Sequence, residues 1–590
     1  MAETTTPVDS NIKSQEPLTS EGSLLRRYFG EVITSLLLLI MAVNLFTQLG
    51  RKSITNDEVV HIPAGYRYLT NGDFRINPEH PPLAKMWAAV PLLRINPKLE
   101  PLADQTAPFE PLSISTSVKF WQTNVGRFTE ISYWARVPMV ILSLLLGVLI
   151  FVLGRQLFGA RAAVIAVFLF STEPTMLAHG TIVHTDMPAA LASVLFVIAL
   201  FAYLRSPSLL RAVGLGLATG IALVTKFSLL VVVPVFVAAL GWTLLRKRTS
   251  QPSWRSVALQ AMVSIVAALL MLNAAYRFQG SQLAEPDKQW ITERSSVVGP
   301  TLTSLATKRL GVVPAYYQFG LYAVAWHNAV GHPTSLLGEY NARGWRYYFP
   351  VVFALKTSLP FLLLSIVGVC WCVWMIVVRR QLVYLGVLAP VIIYFAISST
   401  SHINIGVRHL APVFPFLFLI GGALCDRLLQ SDRRRIGSVL GIVLFVWIAF
   451  VSIRTYPDYL SYANPLVLGR ENWQVMSDSN VEWGADVGAL AKYLKEHGET
   501  RVQAALLGGW VTLELYEVQY VNAFSTEVVP RTKYVAIGAS FLNGSTVPAG
   551  LPGKNGFLTD DERVRFFEKY RQEVPVARFG NSINLYLTKD

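Results

Sequence analysis

Long apolar runs constrain this chain more than any other feature of its sequence. Only 15% of its 590 residues are charged, against about 25% in typical soluble domains. Apolar runs of about 18 residues are typical of helices that cross a membrane. We therefore predict a polytopic α-helical membrane protein with about eleven transmembrane helices. The apolar runs are Val32–Leu49, Val137–Leu153, Ala162–Met176, Met187–Leu204, Val213–Thr225, Leu229–Leu245, Val257–Ala275, Tyr348–Val378, Leu382–Ser398, Leu410–Leu424 and Ile436–Ile453.

Basic clusters between these runs predict the orientation of the chain. Short cytoplasmic loops of membrane proteins are enriched in Lys and Arg. With a cytoplasmic N-terminus, every short basic cluster falls on the cytoplasmic side. Those clusters lie at 155–161, 205–211, 246–255, 379–380 and 427–435. A first outer loop (50–136), a fourth outer loop (276–346) and the C-terminal region then lie outside.

Three parts of the chain follow from this topology. Residues 1–28 are expected to form a disordered cytoplasmic tail, since the polar stretch at 2–22 has no signal-peptide pattern. Residues 29–453 form the transmembrane part, and residues 454–590 a soluble α/β domain outside the cytoplasm. In that domain we predict strands at Val502–Leu507, Tyr534–Ile537 and Ile583–Leu587, and helices at Ala485–Glu496 and Asp560–Gln572.

The net charge of +14 favours some partners over others. The basic residues are scattered between apolar runs, so the pattern indicates a lipid bilayer and a phosphate-bearing substrate rather than nucleic acid. The three cysteines, Cys370, Cys372 and Cys425, all lie in apolar runs. A redox role is not expected of them.

Polar residues of the first outer loop are the first candidates for chemistry. The segment Thr55–His61 holds adjacent carboxylates, Asp57 and Glu58, directly after a membrane helix. On a helix, Asp57 and His61 share a face at a spacing of four residues. The alternative interpretation is that Asn56 or Asp57 only caps the helix. The spacing alone leaves both interpretations open.

A second segment of the same loop carries positive charge. Glu79 and His80 precede two prolines, and Lys85 follows in a predicted amphipathic helix. Helix N-termini bind anions, and His80 and Lys85 add positive charge there. The alternative is an interfacial helix whose Lys85 extends towards water.

Other ionisable residues fall at the same predicted membrane face. His184 and Asp186 precede the fourth run, Lys226 follows the fifth, and Arg408 precedes the tenth. Ionisable groups near membrane depth are costly, so they are candidates for function. Together with the loop residues they place both signs of charge at one face, a pattern that suits a charged lipid headgroup.

These segments resemble the type-C membrane glycosyltransferases, in particular the protein O-mannosyltransferase and aminoarabinose-transferase branch. The resemblance covers roughly Ile54 to Leu494. It rests on the ordered series Asp57-Glu58, Glu79–Lys85, Thr185–Pro188, Gly214–Pro234, Gly344–Pro350, Asn404–His409 and Ser477–Gly484.

The resemblance implies a sugar donor on a polyprenyl monophosphate, an unidentified acceptor, and reaction at the outer face of a bacterial inner membrane. It makes Asp57 the catalytic base, with Glu58 and Asp186 as further catalytic candidates. His80, Lys85, Lys226 and Arg408 would bind the donor phosphate, and Glu79, His61 and His184 would contact acceptor or sugar. His80 stands where the aminoarabinose branch has Lys, so Lys85 or Lys226 is expected to take over that phosphate contact.

Several alternatives remain open at this point. Histidines and carboxylates on the outer side could hold Zn²⁺, but no strong ligand motif is present and no cofactor is expected. A flippase or transporter of a lipid-linked saccharide is the second function, although no internal repeat is visible. A non-catalytic assembly or receptor protein is the third. The C-terminal domain would recognise the acceptor or form a lid over the pocket, or it would only stabilise or dimerise the enzyme. Sugar contacts are expected from Asp478-Ser479-Asn480 and Glu482-Trp483, and the alternative is that Asp478 or Ser479 caps the next helix.

Overall fold

A computed structural model describes residues 20–245, 253–279, 282–308, 311–430, 434–525, 530–553 and 556–588. Side chains are described from Tyr28 onward. The predicted tail at 1–28 and the basic cluster Arg246-Lys247-Arg248 therefore fall almost wholly outside the described side chains.

The membrane part is a bundle of apolar helices. Within the described residues, nine helices are long and apolar enough to cross a membrane, and Ala160–Thr172 and Leu209–Thr225 are shorter apolar helices. The predicted fold class, including about eleven membrane helices, is confirmed. The helices of the bundle are Ser20–Leu49, Phe128–Phe158, Ala160–Thr172, Asp186–Arg205, Leu209–Thr225, Val232–Leu245, Trp254–Ala275, Leu359–Val377, Leu385–Thr400, Phe414–Leu429 and Arg434–Thr455.

The eighth apolar run was expected to be one helix but is two. Tyr348–Lys356 and Leu359–Val377 are separated at Thr357 and Ser358. The buried Glu173 carboxylate accepts hydrogen bonds from the Ser358 backbone N–H (3.0 Å) and hydroxyl (2.6 Å), which satisfies a donor at the start of the second helix. Of the two, only the second helix is long and apolar enough to cross a membrane.

Helix Phe414–Leu429 is the centre of the bundle. The apolar window that contains it is 94% buried, and it packs against Ala160–Thr172 and Leu359–Val377. The 3₁₀ turn Val407–Val413 precedes it and carries Arg408 into the protein interior. The 3₁₀ turn in front of this buried helix thus positions a charged side chain.

Basic residues of the predicted cytoplasmic loop 155–161 lie at one end of the bundle. Arg155 contacts Glu31, and Arg161 Nε lies 2.8 Å from Asp426 Oδ1. Leu49, Asp186 and Thr455 end or begin their helices at the opposite end, where the C-terminal domain also lies. We call that end the domain face.

Short helices of the two long loops cover the domain face. The 50–136 loop ends earlier than predicted, because the membrane helix that follows begins at Phe128. The covering helices of these loops are Asn56–Asn71, Leu83–Ala89, Leu92–Ile95, Phe109–Thr123, Glu285–Val298, Pro300–Thr307 and Ala315–Val330, with the hairpin Thr334–Leu336 and Glu339–Asn341. The short helix Pro174–His179 connects two membrane helices.

A mixed five-stranded sheet forms the C-terminal domain. Ala504 pairs with Ala536 in parallel, and Ala536 pairs with Leu585 in antiparallel. The strands, in spatial order, are Gln519–Asn522, Arg501–Ala505, Tyr534–Gly538, Ile583–Leu587 and Ala577–Phe579, with a separate hairpin of Pro552–Gly553 and Gly556–Phe557. The helices are Asn472–Val475, Val487–Glu496, Gly509–Leu515, Ala539–Leu542, Asp560–Arg565 and Glu568–Arg571. The region predicted as one helix at 560–572 is therefore two.

The C-terminal domain is bound tightly to the membrane part. Lys52 Nζ lies 2.5 Å from both Asp458 Oδ1 and Asp486 Oδ1. The Asn56 backbone N–H donates to the Trp483 carbonyl oxygen at 2.8 Å. Tyr459, Val481 and other residues of the 456–485 segment belong to the main apolar core of the bundle. This connecting segment therefore packs as part of the membrane core.

Candidate functional site

A cavity of about 880 Å³ lies at the domain face between the membrane helices and the C-terminal domain. Its wall combines apolar residues at membrane depth with charged residues near the covering helices. The polar and aromatic lining residues relevant to chemistry are Asp57, His61, Glu79, His80, Asp186, Lys226, His332, Arg408, Asp478 and Trp483.

Asp57 faces this cavity from the first turn of helix Asn56–Asn71. The cap of that helix is Thr55, whose hydroxyl accepts from Glu58 N–H while the Glu58 carboxylate accepts from Thr55 N–H. The expectation that Asn56 or Asp57 caps the helix was therefore wrong. Because Thr55 and Glu58 make the capping hydrogen bonds, the Asp57 side chain is not needed for them and points into the cavity.

Two donors hold the Asp57 carboxylate. Arg408 Nη1 donates to Oδ2 at 3.0 Å, and Trp483 Nε1 donates to Oδ1 at 3.3 Å. The Asp57 side chain nevertheless remains 21% exposed, whereas Arg408 is 8% exposed. Asp57 is thus an oriented carboxylate that a molecule in the cavity can reach.

Asp186 is the second carboxylate of the cluster and is only 1% exposed. Lys226 Nζ donates to its Oδ1, and Arg408 Nη1 lies 3.5 Å from its Oδ2. Arg408 therefore bridges Asp57 and Asp186. Two carboxylates and two cations form one network, whose formal charges cancel before any substrate binds.

The C-terminal segment fixes Arg408 from the other side. Arg408 Nε donates to Ser479 Oγ at 2.9 Å, and the guanidinium carbon lies 4.0 Å from the centroid of the Trp483 ring. A cation over the face of an aromatic ring is attracted by the ring quadrupole. Ser479 thus holds Arg408 and does not cap a helix. The helix that follows begins at Val487, so the capping alternative was wrong.

Glu58 lies in a different environment from Asp57. Both of its oxygens are used by Arg136, at 2.7 Å from Nε and 2.6 Å from Nη2, and the Val183 backbone N–H donates at 2.9 Å. Burial alone would raise the pKa of Glu58, but Arg136 and the backbone donors hold it below its usual value. Glu58 does not line the cavity, so its placement argues against the expected role as an alternative base.

His61 and His80 place uncharged hydrogen-bonding groups in the cavity wall. His61 Nδ1 donates to the Val183 carbonyl oxygen at 2.9 Å, and its ring meets His80 edge-on at 5.3 Å. Burial, opposed in part by Asp57, lowers the pKa of His61 to about 4. Burial, His61 and nearby cations lower the pKa of His80 well below its usual value. Both rings are therefore neutral near pH 7.

Glu79 lines the cavity and has a pKa close to neutral pH. Burial and the neighbouring Glu110 carboxylate, opposed by Lys85, raise the pKa of Glu79 to about 7. Loss of the Glu79 proton adds one negative charge to the cavity wall.

Lys85 is buried beneath the cavity wall. Its ammonium group donates to the carbonyl oxygens of Asn77 and His80 at 2.7 and 2.8 Å, and to the Tyr68 hydroxyl at 3.1 Å. An added Cβ at Gly65 would overlap the Lys85 backbone, so that glycine permits the close packing of the two helices. The snorkelling alternative was wrong, and the expected phosphate contact by Lys85 has no geometric support, since Lys85 does not face the cavity.

The sequence of the membrane core matches a known family. Residues 127–275 match the family described as dolichyl-phosphate-mannose-protein mannosyltransferase. The chain is a membrane glycosyltransferase. The predicted resemblance is thereby confirmed. No curated protein matches the chain.

Three solved structures have a distant likeness to the fold of this chain. ArnT from Cupriavidus metallidurans, bound to undecaprenyl phosphate, aligns with TM-score 0.48 and 14% identity over 96% of this chain and 98% of that chain. The oligosaccharyltransferase AglB from Archaeoglobus fulgidus, with an inhibitory peptide and dolichol-phosphate, aligns with TM-score 0.47 and 12% identity over 87% and 70%. An Archaeoglobus fulgidus oligosaccharyltransferase structure with Zn and sulfate has TM-score 0.46, 12% identity and coverage of 86% and 68%.

The structure brings six predicted site residues of the glycosyltransferase to one cavity wall besides Asp57. Three other predicted residues, Glu58, Lys85 and His184, lie behind that wall. His184 Nε2 donates to the His179 carbonyl oxygen at 3.0 Å, and its Nδ1 accepts from Asp186 N–H at 2.8 Å. Its expected contact with acceptor or sugar therefore has no geometric support. The six residues are His61, Glu79, His80, Asp186, Lys226 and Arg408.

The cavity is also lined by His327 and His332, which sequence reasoning missed. His332 Nε2 lies 3.7 Å from Asp478 Oδ2, and His332 Nδ1 lies 3.2 Å from His327 Nε2. Asp478 has φ +56°, which few residues other than glycine adopt, and its N–H donates to Ser540 Oγ at 2.7 Å. The closely spaced pair His327 and His332 was the only signal in the sequence, and its partner Asp478 is more than 140 residues away.

The cavity lining includes histidines and carboxylates, which are the usual nitrogen and oxygen ligands of Zn²⁺. Within the described ranges, no group of three or more His, Cys, Asp or Glu side chains is arranged to hold a metal ion. The expectation of no cofactor remains a prediction.

Proposed function

We propose that the glycosyltransferase moves a sugar from a polyprenyl-monophosphate donor to an acceptor hydroxyl at the domain face, with Asp57 as the base. One observation carries this proposal. Asp57 is the accessible member of the carboxylate–cation network, whereas Asp186 is sealed beneath it. A general base must reach the proton that it removes, and the cavity gives Asp57 that access.

The transfer step needs both signs of charge. The acceptor oxygen attacks the anomeric carbon while its proton passes to an Asp57 oxygen, and the bond between that carbon and the phosphate oxygen breaks. The electron pair leaves with the lipid phosphate, which gains negative charge. Arg408 and Lys226, already oriented by Asp57 and Asp186, stabilise that charge in a site shielded from water.

The cavity has a lining suited to a lipid donor. Leu321, Val324, Phe349, Tyr394 and Ile397 line its membrane side. An isoprenoid chain is apolar and would lie against such residues, with its phosphate towards the cations. The neutral His61 and His80 would hydrogen-bond to sugar hydroxyls or phosphate oxygens without adding charge.

The acceptor would enter along the wall formed by the C-terminal domain. Asp478, Ser545 and Thr546 line the cavity from the C-terminal domain, and His332 lies beside Asp478. These groups offer both donors and acceptors to hydroxyl-bearing molecules. We assign acceptor recognition to these residues. The sugar contact predicted for Asp478 would be made at the same place.

The orientation of the enzyme is part of the proposal. The basic clusters predict a cytoplasmic N-terminus, which puts the domain face outside the cytoplasm. In a bacterium that face of the inner membrane meets the periplasm. Addition of a membrane-impermeant cysteine reagent to cells carrying Ser525→Cys would label the domain in this orientation, and absence of labelling without permeabilisation would reverse it.

The experiment uses purified protein with radiolabelled polyprenyl-phosphate sugars. Asp57→Asn should reduce donor cleavage or transfer at least about 100-fold, the scale of general-base catalysis. Asp104→Asn is the matched control, because Asp104 lies in the same loop, is exposed, and accepts hydrogen bonds from the Thr106 backbone N–H and hydroxyl. Binding of the donor without cleavage, unchanged in Asp57→Asn, would reject catalysis by this site and favour a transporter.

A further inference from the structure

A second cavity of about 670 Å³ lies at the domain face and shares no lining residue with the first. It is bounded by the end of helix Arg434–Thr455, by Leu359 at the start of the neighbouring helix, and by the segment 458–473 with Arg578. It is therefore separate from the proposed site of sugar transfer.

The membrane side of this cavity is apolar and faces lipid. Only 11% of the apolar window of helix Arg435–Thr455 is buried inside the protein. Trp447 and Phe450 line the cavity and are largely exposed on that helix. An exposed apolar surface on a transmembrane helix is covered by acyl chains in a bilayer, so a lipid lies next to this cavity.

The upper wall of the cavity holds more positive charge than its acidic residues neutralise. Asp458 is paired with Lys52 at 2.5 Å, and Glu471 with Arg578 at 2.7 Å. In the described part of the chain, no carboxylate lies within ion-pair distance of the two remaining arginines, Arg454 and Arg470. Arg470 Nε donates only to the Val467 carbonyl oxygen, at 3.3 Å.

We propose that this cavity binds one anionic phospholipid. Its phosphate would lie between Arg454 and Arg470, and its acyl chains along Trp447 and Phe450. Guanidinium groups match the geometry of phosphate oxygens, and the side-chain amides of Asn472 and Asn581 add hydrogen-bond donors to the headgroup. The arrangement selects for negative charge, because a zwitterionic headgroup adds its own ammonium beside the arginines.

The test is contact quenching of Trp447 in vesicles. Native protein and a Trp447→Phe variant are placed in phosphatidylcholine vesicles with rising fractions of brominated phosphatidylglycerol or brominated phosphatidylcholine. The difference between the two proteins isolates the Trp447 signal. The phosphatidylglycerol curve should reach half quenching at a mole fraction at least about fivefold lower, the scale of one arginine near an anionic lipid.

Variants distinguish the cavity from general surface charge. Arg454→Gln/Arg470→Gln should bring the two curves together, and Arg454→Gln alone should narrow the difference. Arg454 is exposed, so the single variant retains its packing. The control Arg346→Gln/Arg501→Gln removes equal charge from exposed positions elsewhere on the described surface and should keep the selectivity. Equal quenching by both lipids in native protein, or selectivity that survives the loss of Arg454 and Arg470, would overturn the proposal.

Discussion

Asp57 and Glu58 are consecutive residues, and each is paired with an arginine, yet the two pairs lie in different environments. The Asp57–Arg408 pair lines a cavity, and its carboxylate is 21% exposed. The Glu58–Arg136 pair is sealed, with exposures of 0% and 3%. A carboxylate–arginine pair can therefore take part in a reaction or stabilise the fold. Which of the two it does depends on whether the carboxylate oxygens remain accessible.

The geometry of one helical turn produces this difference. Consecutive residues on a helix point about 100° apart, so Asp57 and Glu58 cannot share a face. Glu58 completes the capping box with Thr55 and turns towards Arg136, while Asp57 turns towards Arg408. One adjacent pair of carboxylates is thus divided between the helix start and the cavity.

The sealed pair should show the largest effect when it is broken. Glu58→Gln leaves Arg136 buried without its counter-charge, and loss of one partner of a buried ion pair costs about 3–5 kcal/mol of unfolding free energy. We expect a clear drop in the melting temperature of the detergent-solubilised protein, followed by tryptophan fluorescence. Asp104→Asn should melt like native protein. An unchanged melting curve combined with lost transfer would give Glu58 a role in the chemistry instead.

A variant of Lys226 tests whether this cation acts on the donor phosphate or only neutralises Asp186. Lys226→Gln removes a cation from the proposed phosphate site and leaves Asp186 less compensated. Transfer should fall about 100- to 1,000-fold, the effect of removing one donor to a developing negative charge. Melting temperature should fall as well.

The double variant Asp186→Asn/Lys226→Gln separates these two consequences. It removes both charges, so stability should recover while transfer stays low. Recovery of transfer in the double variant would show that Lys226 only neutralises Asp186 and does not act on the donor phosphate.

The smallest expected effect is a pH-dependent change in the KM for the donor, caused by Glu79. Since its pKa is raised to about 7, Glu79 is neutral at pH 6 and negatively charged at pH 8. Each step towards pH 8 adds negative charge beside the proposed phosphate site, so the KM for the donor should rise roughly three- to tenfold between these values. Glu79→Gln should flatten this rise, and Asp104→Asn should retain it. A rise that persists in Glu79→Gln would locate the titrating group elsewhere.

The helices of the membrane part could be predicted closely from sequence. Each apolar run corresponds to an observed apolar helix, with bounds that differ by a few residues at most sites. Hydropathy is a local property, so it reports membrane burial directly. It did not reveal the break after Lys356, because Glu173, which caps the second helix, is remote in sequence.

The site was predictable only in part. Thr55 and Glu58 are spaced as a capping box, so their sequence already contained the signal that Glu58 belongs to the helix start. The pairing of Glu58 with Arg136 and of Asp57 with Arg408 joins residues 78 and 351 positions apart. No local sequence pattern reports such contacts. For the same reason, the sequence did not show that Lys85 is buried and does not face the cavity.

The most direct measurement compares Asp57→Asn and Glu58→Gln in one preparation, with transfer from radiolabelled polyprenyl-phosphate sugar and melting temperature recorded for each. In Asp57→Asn, Arg408 keeps Asp186 as a partner, so we predict near-native melting with transfer lowered at least about 100-fold. In Glu58→Gln we predict a lowered melting temperature, with transfer per folded molecule close to native at low temperature. Near-native transfer by a well-folded Asp57→Asn protein would contradict the account.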